Sequence, residues 1–343
     1  MTPQLSKVVE RLVKGMMEPH LERVCAFGEN QFAYRKERGS RDLILMLMLE
    51  WLIILDNRGK IGVYNSDVAG AFDRVDPEIL IAKLRSHGLH ERIIAVLKSW
   101  LERRIATVVV GGSNSEQYVI ENQVYQGTVL GPIQWDVHFE DVHVPVRNSH
   151  FKEVLFADDL NSYKGYDSTT SNKLIIKQCK KCQTEIHKWG DAKRITFEPA
   201  KESMSIISNH EPEGPDFKLM GIWFDTGLSM RRGITDLCNS LRWKLTTLLR
   251  TRHLFDTPTL IIQFKSRILS YVEHRTAAIY HPDATLIKLI DNQFDRFLLQ
   301  AGITRANALT NYLFAPLNAR RDMAMLGGIH RSMLRKGAAQ IYE

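Results

Sequence analysis

The chain has 343 residues, of which 44% are hydrophobic and 25% are charged, enough for one large domain or two smaller ones. No apolar run approaches the roughly 20 residues that cross a bilayer, the N-terminal residues lack the features of a secretion signal, and four cysteines give no disulfide framework. Membrane-spanning and secreted classes are therefore excluded, and an intracellular location, nuclear or cytoplasmic, is expected.

The net charge of +7 is unevenly distributed along the chain. From residue 229 onward there are 17 Lys and Arg against 8 Asp and Glu, whereas the preceding residues hold 29 against 31. A near-neutral body with a basic C-terminal third is typical of a protein that binds a polyanion. A solvated helical face would give the same composition.

The first half of the chain predicts a mixture of helices and strands. Residues 1–24 and 40–56 have helical patterns, and Lys60 to Ser66 has strand character. Asp76-Pro77 is a helix start and Gly88 a helix stop, with a second helix expected over 89–103. Residues 105–125 are β-rich around GGSNS, which predicts a hairpin.

The second half predicts a strand, a tight turn and a strand around Ala157-Asp158-Asp159, then an amphipathic helix over 169–190. Further strands are expected near 195–208 and 217–228, and from Arg231 the pattern is helical, with Trp243 expected in the core. The pair Cys179 and Cys182 has metal-ligand spacing, but no second Cys or His pair accompanies it. The chain is thus expected to be α+β with an appended helical bundle.

Two adjacent carboxylates on a tight turn repel each other, and a divalent cation would remove that repulsion. An isolated Asp-Asp pair is more often a solvated turn, but apolar residues on both sides of Asp158 and Asp159 indicate a buried strand pair. Asp67 stands at the end of another predicted strand. If the two strands are neighbours, the three acids can hold two Mg²⁺ ions about 4 Å apart, an arrangement suited to nucleotidyl transfer.

Three segments in this order resemble the reverse transcriptases of non-LTR retrotransposons: SDVAGAFDRV (66–75), YQGTVLGP (125–132) and LFADDL (155–160). The segments QFAYRKERGSRD, TFEPAKESMSII and LMGIWFD are similar to the family's fingers, later palm and primer-grip motifs, so nearly the whole chain is covered. The resemblance implies a right-hand polymerase fold, with truncated fingers at 1–60, a palm with associated finger helices at 61–228, and a helical thumb with C-terminal helices at 229–343.

The resemblance also implies roles for single residues. The two Mg²⁺ (or Mn²⁺) ions would be bound by Asp67, Asp158, Asp159 and the backbone carbonyl of Val68. Phe72 matches the aromatic residue that excludes the 2′-hydroxyl, the only group that separates dNTP from rNTP. The other substrate-binding residues implied are Gln126 and Gly127 at the nucleotide pocket, Arg35 and Lys201.

Each of these side chains also has a simpler explanation. Phe72 could be a core residue, Gln126 an ordinary turn residue, and Lys201 an exposed turn lysine. Arg35 could belong to a solvated basic cluster with Lys36 and Arg38. In the thumb, the residues implied to follow the phosphates of a template–primer duplex are Arg242, Lys244, Arg250, Arg252, Lys265 and Arg267.

The implied function is RNA-directed DNA synthesis with an RNA template, a DNA primer and dNTP as partners; no protein partner is indicated. Two departures from the family favour an alternative. The Arg-Pro-Ile motif that usually precedes the SKVVERLV segment is missing, and the helix after Gly127 (IQWDVHFEDVHV) is more polar than usual. The alternative is a catalytically impaired fragment that keeps the fold and binds nucleic acid. An RNA-dependent RNA polymerase is a third possibility, against which Phe72 argues.

Overall fold

The computed structural model describes residues 4–102, 104–120, 124–334 and 336. Helices account for most of the regular structure in these residues. The α-helices are α1 (Gln4–Arg23), α2 (Ser40–Asp56), α3 (Pro77–Ser86), α4 (Glu91–Leu101), α5 (Gly131–Phe139), α6 (His143–Asn148), α7 (Asn172–Lys193), α8 (Arg231–Arg250), α9 (Thr257–Phe264), α10 (Ser270–Glu273), α11 (Ala284–Gln300), α12 (Arg305–Tyr312) and α13 (Leu317–Met333).

The strands are short except for those that form the main sheet. They are β1 (Lys60–Asp67), β2 (Arg104–Ala106), β3 (Val109–Val110), β4 (Ser113–Asn114), β5 (Tyr118–Ile120), β6 (Lys152–Phe156), β7 (Asp159–Tyr166), β8 (Ser203–Ile207), β9 (Phe217–Leu219) and β10 (Ile222–Phe224). The main sheet has the order β6-β7-β1-β8. The α+β class expected from the sequence is therefore confirmed.

Three small antiparallel pairs accompany the main sheet: β2 with β5, β3 with β4, and β9 with β10. The first two form the hairpin predicted around GGSNS, although its residues 121–123 lie outside the described part of the chain. The strands predicted near 217–228 are confirmed by β9 and β10.

Local sequence signals explain where α3 begins and ends. The side chain of Asp76 accepts hydrogen bonds from the backbone N–H groups of Glu78 and Ile79, and Pro77 occupies the first helical position. The helix ends before Gly88, which has a φ of 73° and so adopts a left-handed conformation that costs glycine little. Both predicted boundaries are confirmed.

The chain forms two compact units. The first comprises Met1–Arg35, Val63–Lys164 and Lys177–Ser203, and the second comprises Lys36–Gly62, Gly165–Ile176 and Met204–Glu343. In the first unit, Cys179 and Cys182 are buried on α7, and burial raises the pKa of each thiol to about 12. Among the described residues, no further His, Cys, Asp or Glu completes a group of metal ligands with this pair.

In the second unit, α8 packs along α11. Four aromatic rings form a cluster from Phe264, Phe294, Phe297 and Phe314. Trp243 does not join this core. Its side chain is 70% exposed, so the expectation of a core tryptophan was wrong. The buried Leu241 and Leu245 lie two residues away on either side, which places Trp243 on the opposite face of the helix.

Candidate active site

The Asp158-Asp159 pair lies at the tip of a tight hairpin. Strands β6 and β7 are antiparallel, and Phe156 pairs with Asp159, so only Ala157 and Asp158 form the turn between them. Ala157 has a φ of 57°, in the left-handed region. That conformation costs a residue with a Cβ about 1–2 kcal/mol, so the surroundings must hold it.

Asp67 is the last residue of β1, the strand next to β7 in the main sheet. The carboxyl groups of Asp67 and Asp159 are within hydrogen-bonding reach of each other. Burial, followed by the charges of Asp158 and Asp67, raises the pKa of Asp159 to about 6. Burial and the charge of Asp67 also raise the pKa of Asp158. The structure thus brings the three acids into one electrostatic cluster.

Lys201 faces this cluster from the segment that precedes β8. Its ammonium group lies 2.5 Å from Oδ2 of Asp67, and this contact raises the pKa of the lysine. The segment is held at the end of β1 because the N–H of Glu198 donates to the carbonyl of Asp67 and Val68 is bridged to Phe197. Lys201 is therefore exposed, as expected for an ordinary turn lysine, but its ammonium group is paired with a carboxylate of the cluster.

The acidic cluster has the donor chemistry of a magnesium site. Within the described ranges, no group of three or more His, Cys, Asp or Glu side chains is already arranged around a common metal position. Burial, together with the neighbouring acids, nevertheless raises the pKa values of Asp158 and Asp159, the direction expected where a nearby cation would favour the ionised carboxylates. Carboxylate oxygens are the ligands that Mg²⁺ prefers, so the residues present fit such an ion.

Phe72 lies in a 3₁₀ turn (Ala71–Arg74) five residues after Asp67. Its half-buried ring stacks on the indole of Trp135, with ring centroids 6.0 Å apart and an interplanar angle of 26°. The carbonyl of Phe72 also accepts a hydrogen bond from the N–H of Val124. The ring is therefore held in place while part of its surface stays accessible.

Gln126 and Gly127 are exposed on the turn that leads into α5. Gly127 has a φ of 78°, and a Cβ added there would meet no atom within 4 Å, so the backbone conformation rather than lack of space accounts for glycine. The hydroxyl of Thr128 closes the turn by donating to the carbonyl of Tyr125 and accepting from the N–H of Gly131.

A residue that the sequence analysis did not identify supports this turn. Glu10 on α1 is 2% exposed, and its Oε2 accepts hydrogen bonds from the N–H groups of Val129 (2.6 Å) and Leu130 (3.4 Å). A carboxylate at these N–H groups is favourable because they precede a helix N-terminus. The sequence carried no signal for this role, since Glu10 and its partners are about 120 residues apart.

Arg35 has an internal position. Its guanidinium is paired with Glu22, donates to the carbonyl of Gly28 at 2.6 Å, and is only 7% exposed. The idea that it belongs to a solvated basic cluster was therefore wrong. A contact between Arg35 and a nucleotide phosphate stays a prediction, and it would require the pair with Glu22 to open.

The six basic residues of the second unit divide into two groups. Arg242, Arg250, Arg252 and Arg267 are exposed. Lys244 is half-buried above the ring of Tyr271, and Lys265 donates to the carbonyl of Tyr312. The four arginines are exposed to a ligand, although Arg252 also donates to the carbonyl of Leu249 and Arg242 to Oδ1 of Asn239.

Comparisons with known proteins agree on one family. Its sequence profile, described as "Reverse transcriptase (RNA-dependent DNA polymerase)", matches residues 1–224. The RNA-directed DNA polymerase from mobile element jockey of Drosophila funebris is 27% identical over 267 residues, covering 71% of this chain and 28% of that protein. The probable RNA-directed DNA polymerase from transposon X-element of Drosophila melanogaster is 24% identical, with the same two coverages. The chain thus spans about 28% of the length of these relatives.

A solved structure supports the fold. Apo telomerase from Candida tropicalis superposes with a TM-score of 0.50 and 13% identity, covering 95% of this chain and 59% of that one. At this identity the likeness concerns the fold alone, and it confirms the expected right-hand polymerase fold. The profile match covers well over half of the chain. The chain therefore belongs to the reverse transcriptase (RNA-dependent DNA polymerase) family, as its resemblance to the enzymes of non-LTR retrotransposons predicted.

Proposed function

We propose that this chain is the polymerase core of a non-LTR retrotransposon and adds nucleotides from dNTP to the 3′-OH of a DNA primer on an RNA template. The observation that carries the proposal is the convergence of Asp67, Asp158 and Asp159, two of them with raised pKa values, at adjacent ends of one sheet. These acids and the carbonyl of Val68 would hold two Mg²⁺ (or Mn²⁺) ions, which supply charge stabilisation for in-line nucleotidyl transfer.

The remaining residues of the cluster would bind and orient the substrate. Lys201 is exposed and has a long flexible side chain, so its ammonium can leave Asp67 and reach a triphosphate. The open turn at Gln126 and Gly127 would lie under the incoming base pair. Phe72 would meet the sugar, with Trp135 behind it holding the ring in position.

The test is primer extension on an RNA template with Mg²⁺, comparing dNTP with rNTP for the wild-type chain and for Phe72→Val. We expect extension with dNTP in the wild type, and at least a roughly tenfold rise in the ratio of rNTP to dNTP use in the variant. Removing the ring opens space for the 2′-hydroxyl of an rNTP. A small steric difference in a binding pocket typically changes the discrimination between two substrates by about 10–200-fold. Phe72→Tyr, which keeps the ring, is the matched control and should leave the ratio unchanged.

The same assay decides among the alternatives. A wild-type chain that binds the template–primer but never extends it would be the impaired fragment. Efficient use of rNTP by the wild type would point to an RNA polymerase. Retained activity with an unaltered nucleotide ratio in Phe72→Val would remove Phe72 from the role of sugar gate.

We also propose that the exposed face of α8 binds the template–primer duplex. Arg242, Trp243 and Arg250 are exposed on this helix, whose other face is buried. Arginines can pair with phosphates, and an exposed indole offers a face on which a base or sugar can pack. The division into fingers (1–60), palm (61–228) and thumb (229–343), and a nuclear or cytoplasmic location, belong to the same proposal.

Trp243→Ala is expected to weaken binding of an RNA–DNA duplex by about 1–3 kcal/mol, with little change in salt dependence, because stacking does not release counterions.

The double substitution of Arg242→Ala and Arg250→Ala should instead change the salt dependence of binding. The slope of the logarithm of the binding constant against the logarithm of the salt concentration should become smaller by roughly 0.7–0.9 for each arginine removed. Fluorescence anisotropy at several salt concentrations measures both effects. Lys288→Ala removes an exposed charge from α11 and is the matched control. Equal effects of all the charge changes would show that α8 has no special part in binding.

A further inference from the structure

The residue that precedes the two acids is held by two side chains from outside the hairpin. Ala157 is 6% exposed and adopts the left-handed conformation. Its N–H donates to Oε1 of Gln31 at 3.0 Å. Its carbonyl accepts from Nε2 of Gln31 at 3.3 Å and from Nε1 of Trp135 at 3.0 Å. Both polar groups of this residue are thus satisfied by side chains rather than by strand pairing.

Gln31 is fixed in the orientation that this contact needs. The residue is 1% exposed, and the N–H of Ala33 also donates to its Oε1. Two N–H groups therefore point at the oxygen and one carbonyl points at the nitrogen, which leaves a single favourable orientation of the amide. The backbone around Gln31 is paired with β6, because the N–H of Phe32 donates to Leu155 and the N–H of Leu155 donates to Asn30.

Trp135 connects Ala157 with Phe72. The indole is fully buried on α5 and stacks on Phe139 with ring centroids 5.0 Å apart. The same indole stacks on Phe72 and donates its N–H to the carbonyl of Ala157. One rigid side chain therefore touches both the residue before the acids and the aromatic residue proposed as the sugar gate.

We propose that Gln31 and Trp135 are positioning residues that clamp Ala157 and so fix the location of Asp158 and Asp159. This proposal rests on the proposed function. An alanine without these bonds would leave the left-handed region for a more favourable conformation, and the following carboxylates would move with the backbone. A shift of about 1 Å in a reacting group is enough to reduce a rate a hundredfold. The clamp is therefore expected to act on the rate of the chemical step rather than on nucleotide binding.

The first test measures the clamp without any reaction. In Gln31→Leu the N–H of Ala157 loses its acceptor, so hydrogen exchange at this amide should become at least about tenfold faster, while the amides of β7 stay protected. In Trp135→Phe the stacking ring and the acceptor on Gln31 both remain, so this amide should stay protected. Unchanged exchange of Ala157 in Gln31→Leu would overturn the clamp, whatever the activity of the chain.

The second test connects the clamp with catalysis. Gln31→Leu should lower kcat for primer extension about 10–100-fold with little change in the KM for dNTP, as expected for a residue that orients metal ligands. In Gln31→Glu, a protonated carboxyl can accept and donate as the amide does, but an ionised one cannot donate. The primer-extension rate of Gln31→Glu, divided by the wild-type rate at the same pH, should therefore fall as pH rises. The same ratio for Gln31→Leu should be independent of pH.

The outcomes separate the clamp from the proposed function. A wild-type chain that never extends a primer contradicts the proposed function, while hydrogen exchange still decides whether Gln31 holds Ala157. Faster exchange of Ala157 with an unaltered kcat would overturn the positioning role. If Gln31→Leu does not fold, the test is the pH dependence of Gln31→Glu. A primer-extension rate of Gln31→Glu that stays a constant fraction of the wild-type rate at every pH contradicts the proposal.

Discussion

Asp158→Asn is expected to slow primer extension by about a thousandfold or more. The amide has almost the same shape as the carboxylate but carries no charge, so it stabilises a divalent cation and the charge developing on the reacting phosphate far less. Removing a single group that stabilises charge in a transition state commonly costs a factor of about 10²–10³, and a direct metal ligand should lie at the upper end. Single-turnover extension with saturating Mg²⁺ measures the effect.

Asp159→Asn should lower activity in the same way as Asp158→Asn, but it should increase the stability of the metal-free protein. Its pKa is raised to about 6 in the folded protein, so in the absence of metal the ionised carboxylate opposes folding. That penalty grows as pH rises from the unfolded-state pKa through 6 and is complete at pH 8. We therefore expect Asp159→Asn to raise Tm at pH 8 in a chelating buffer.

Asp73→Asn is the matched control for both substitutions. It makes the same chemical change on an exposed acid close to Asp67 in sequence, and it should alter activity less than about twofold and Tm hardly at all. If Asp158→Asn kept more than a tenth of the wild-type rate, the acidic cluster would not be the catalytic centre.

The sequence was informative where chemistry is local. The start of α3 depends on Asp76 and Pro77, which act within one turn, and the acidic hairpin depends on apolar residues that flank two acids. The exposure of Trp243 could also have been predicted, because the buried leucines of α8 follow a helical period that excludes it. The expectation of a buried tryptophan rests on residue type alone, and the helical period of the leucines overrides it.

Other parts of the site depend on partners that are distant in the sequence. The internal pairing of Arg35 requires the fold to place Glu22 beside it. The contact between Gln31 and Ala157 spans 126 residues, and a buried glutamine has no sequence pattern that names its partner. Such hydrogen bonds can be inferred only once the fold is known. For this reason the sequence could point to the three acids and to Phe72 as candidate site residues, whereas it gave no sign of the residues that support them.

Helix α5 presents a different problem, because it buries three polar side chains. Gln134, Asp136 and His138 are at most 1% exposed, and among the described residues the two nitrogens of His138, Oδ1 of Asp136 and both amide atoms of Gln134 have no hydrogen-bond partner. Leaving a buried polar group unpaired costs about 1–3 kcal/mol. The unusually polar helix noted in the sequence is therefore a source of instability next to Trp135.

Burial shifts the two titratable groups of α5 in opposite directions. Burial raises the pKa of Asp136 well above its ordinary value, and burial followed by the charge of Lys83 lowers the pKa of His138 to about 3. The contribution of Asp136 is fully present below its unfolded-state pKa of about 3.9 and is lost as pH rises towards its folded-state value. The contribution of His138 is present above about 6.5 and is lost as pH falls towards 3. Above pH 6.5 the contribution of His138 is constant, so of these two groups only Asp136 makes the stability depend on pH.

Asp136→Asn is therefore expected to stabilise the fold increasingly as pH rises. Asparagine is neutral at every pH, whereas burial raises the pKa of Asp136 and so favours its protonated form in the folded state. Below that folded-state pKa, the two proteins therefore differ mainly in the ionisation of the unfolded chain. The gain in unfolding free energy should grow by about 1.4 kcal/mol for each pH unit from about pH 4 up to the folded-state pKa of Asp136. Urea unfolding of both proteins at a series of pH values from about 4 upward measures this slope and the pH at which it ends.

A pH-independent difference between wild type and Asp136→Asn would mean that Asp136 is ionised in the folded protein and has a partner there. Asp73→Asn, which changes an exposed acid, again serves as the control. The result also bears on whether the chain is an impaired fragment. If its activity is limited by an unstable α5, Asp136→Asn should increase both stability and primer extension, because the substitution leaves Asp67, Asp158 and Asp159 unaltered. If the acidic cluster itself is defective, stability will rise without any gain in extension.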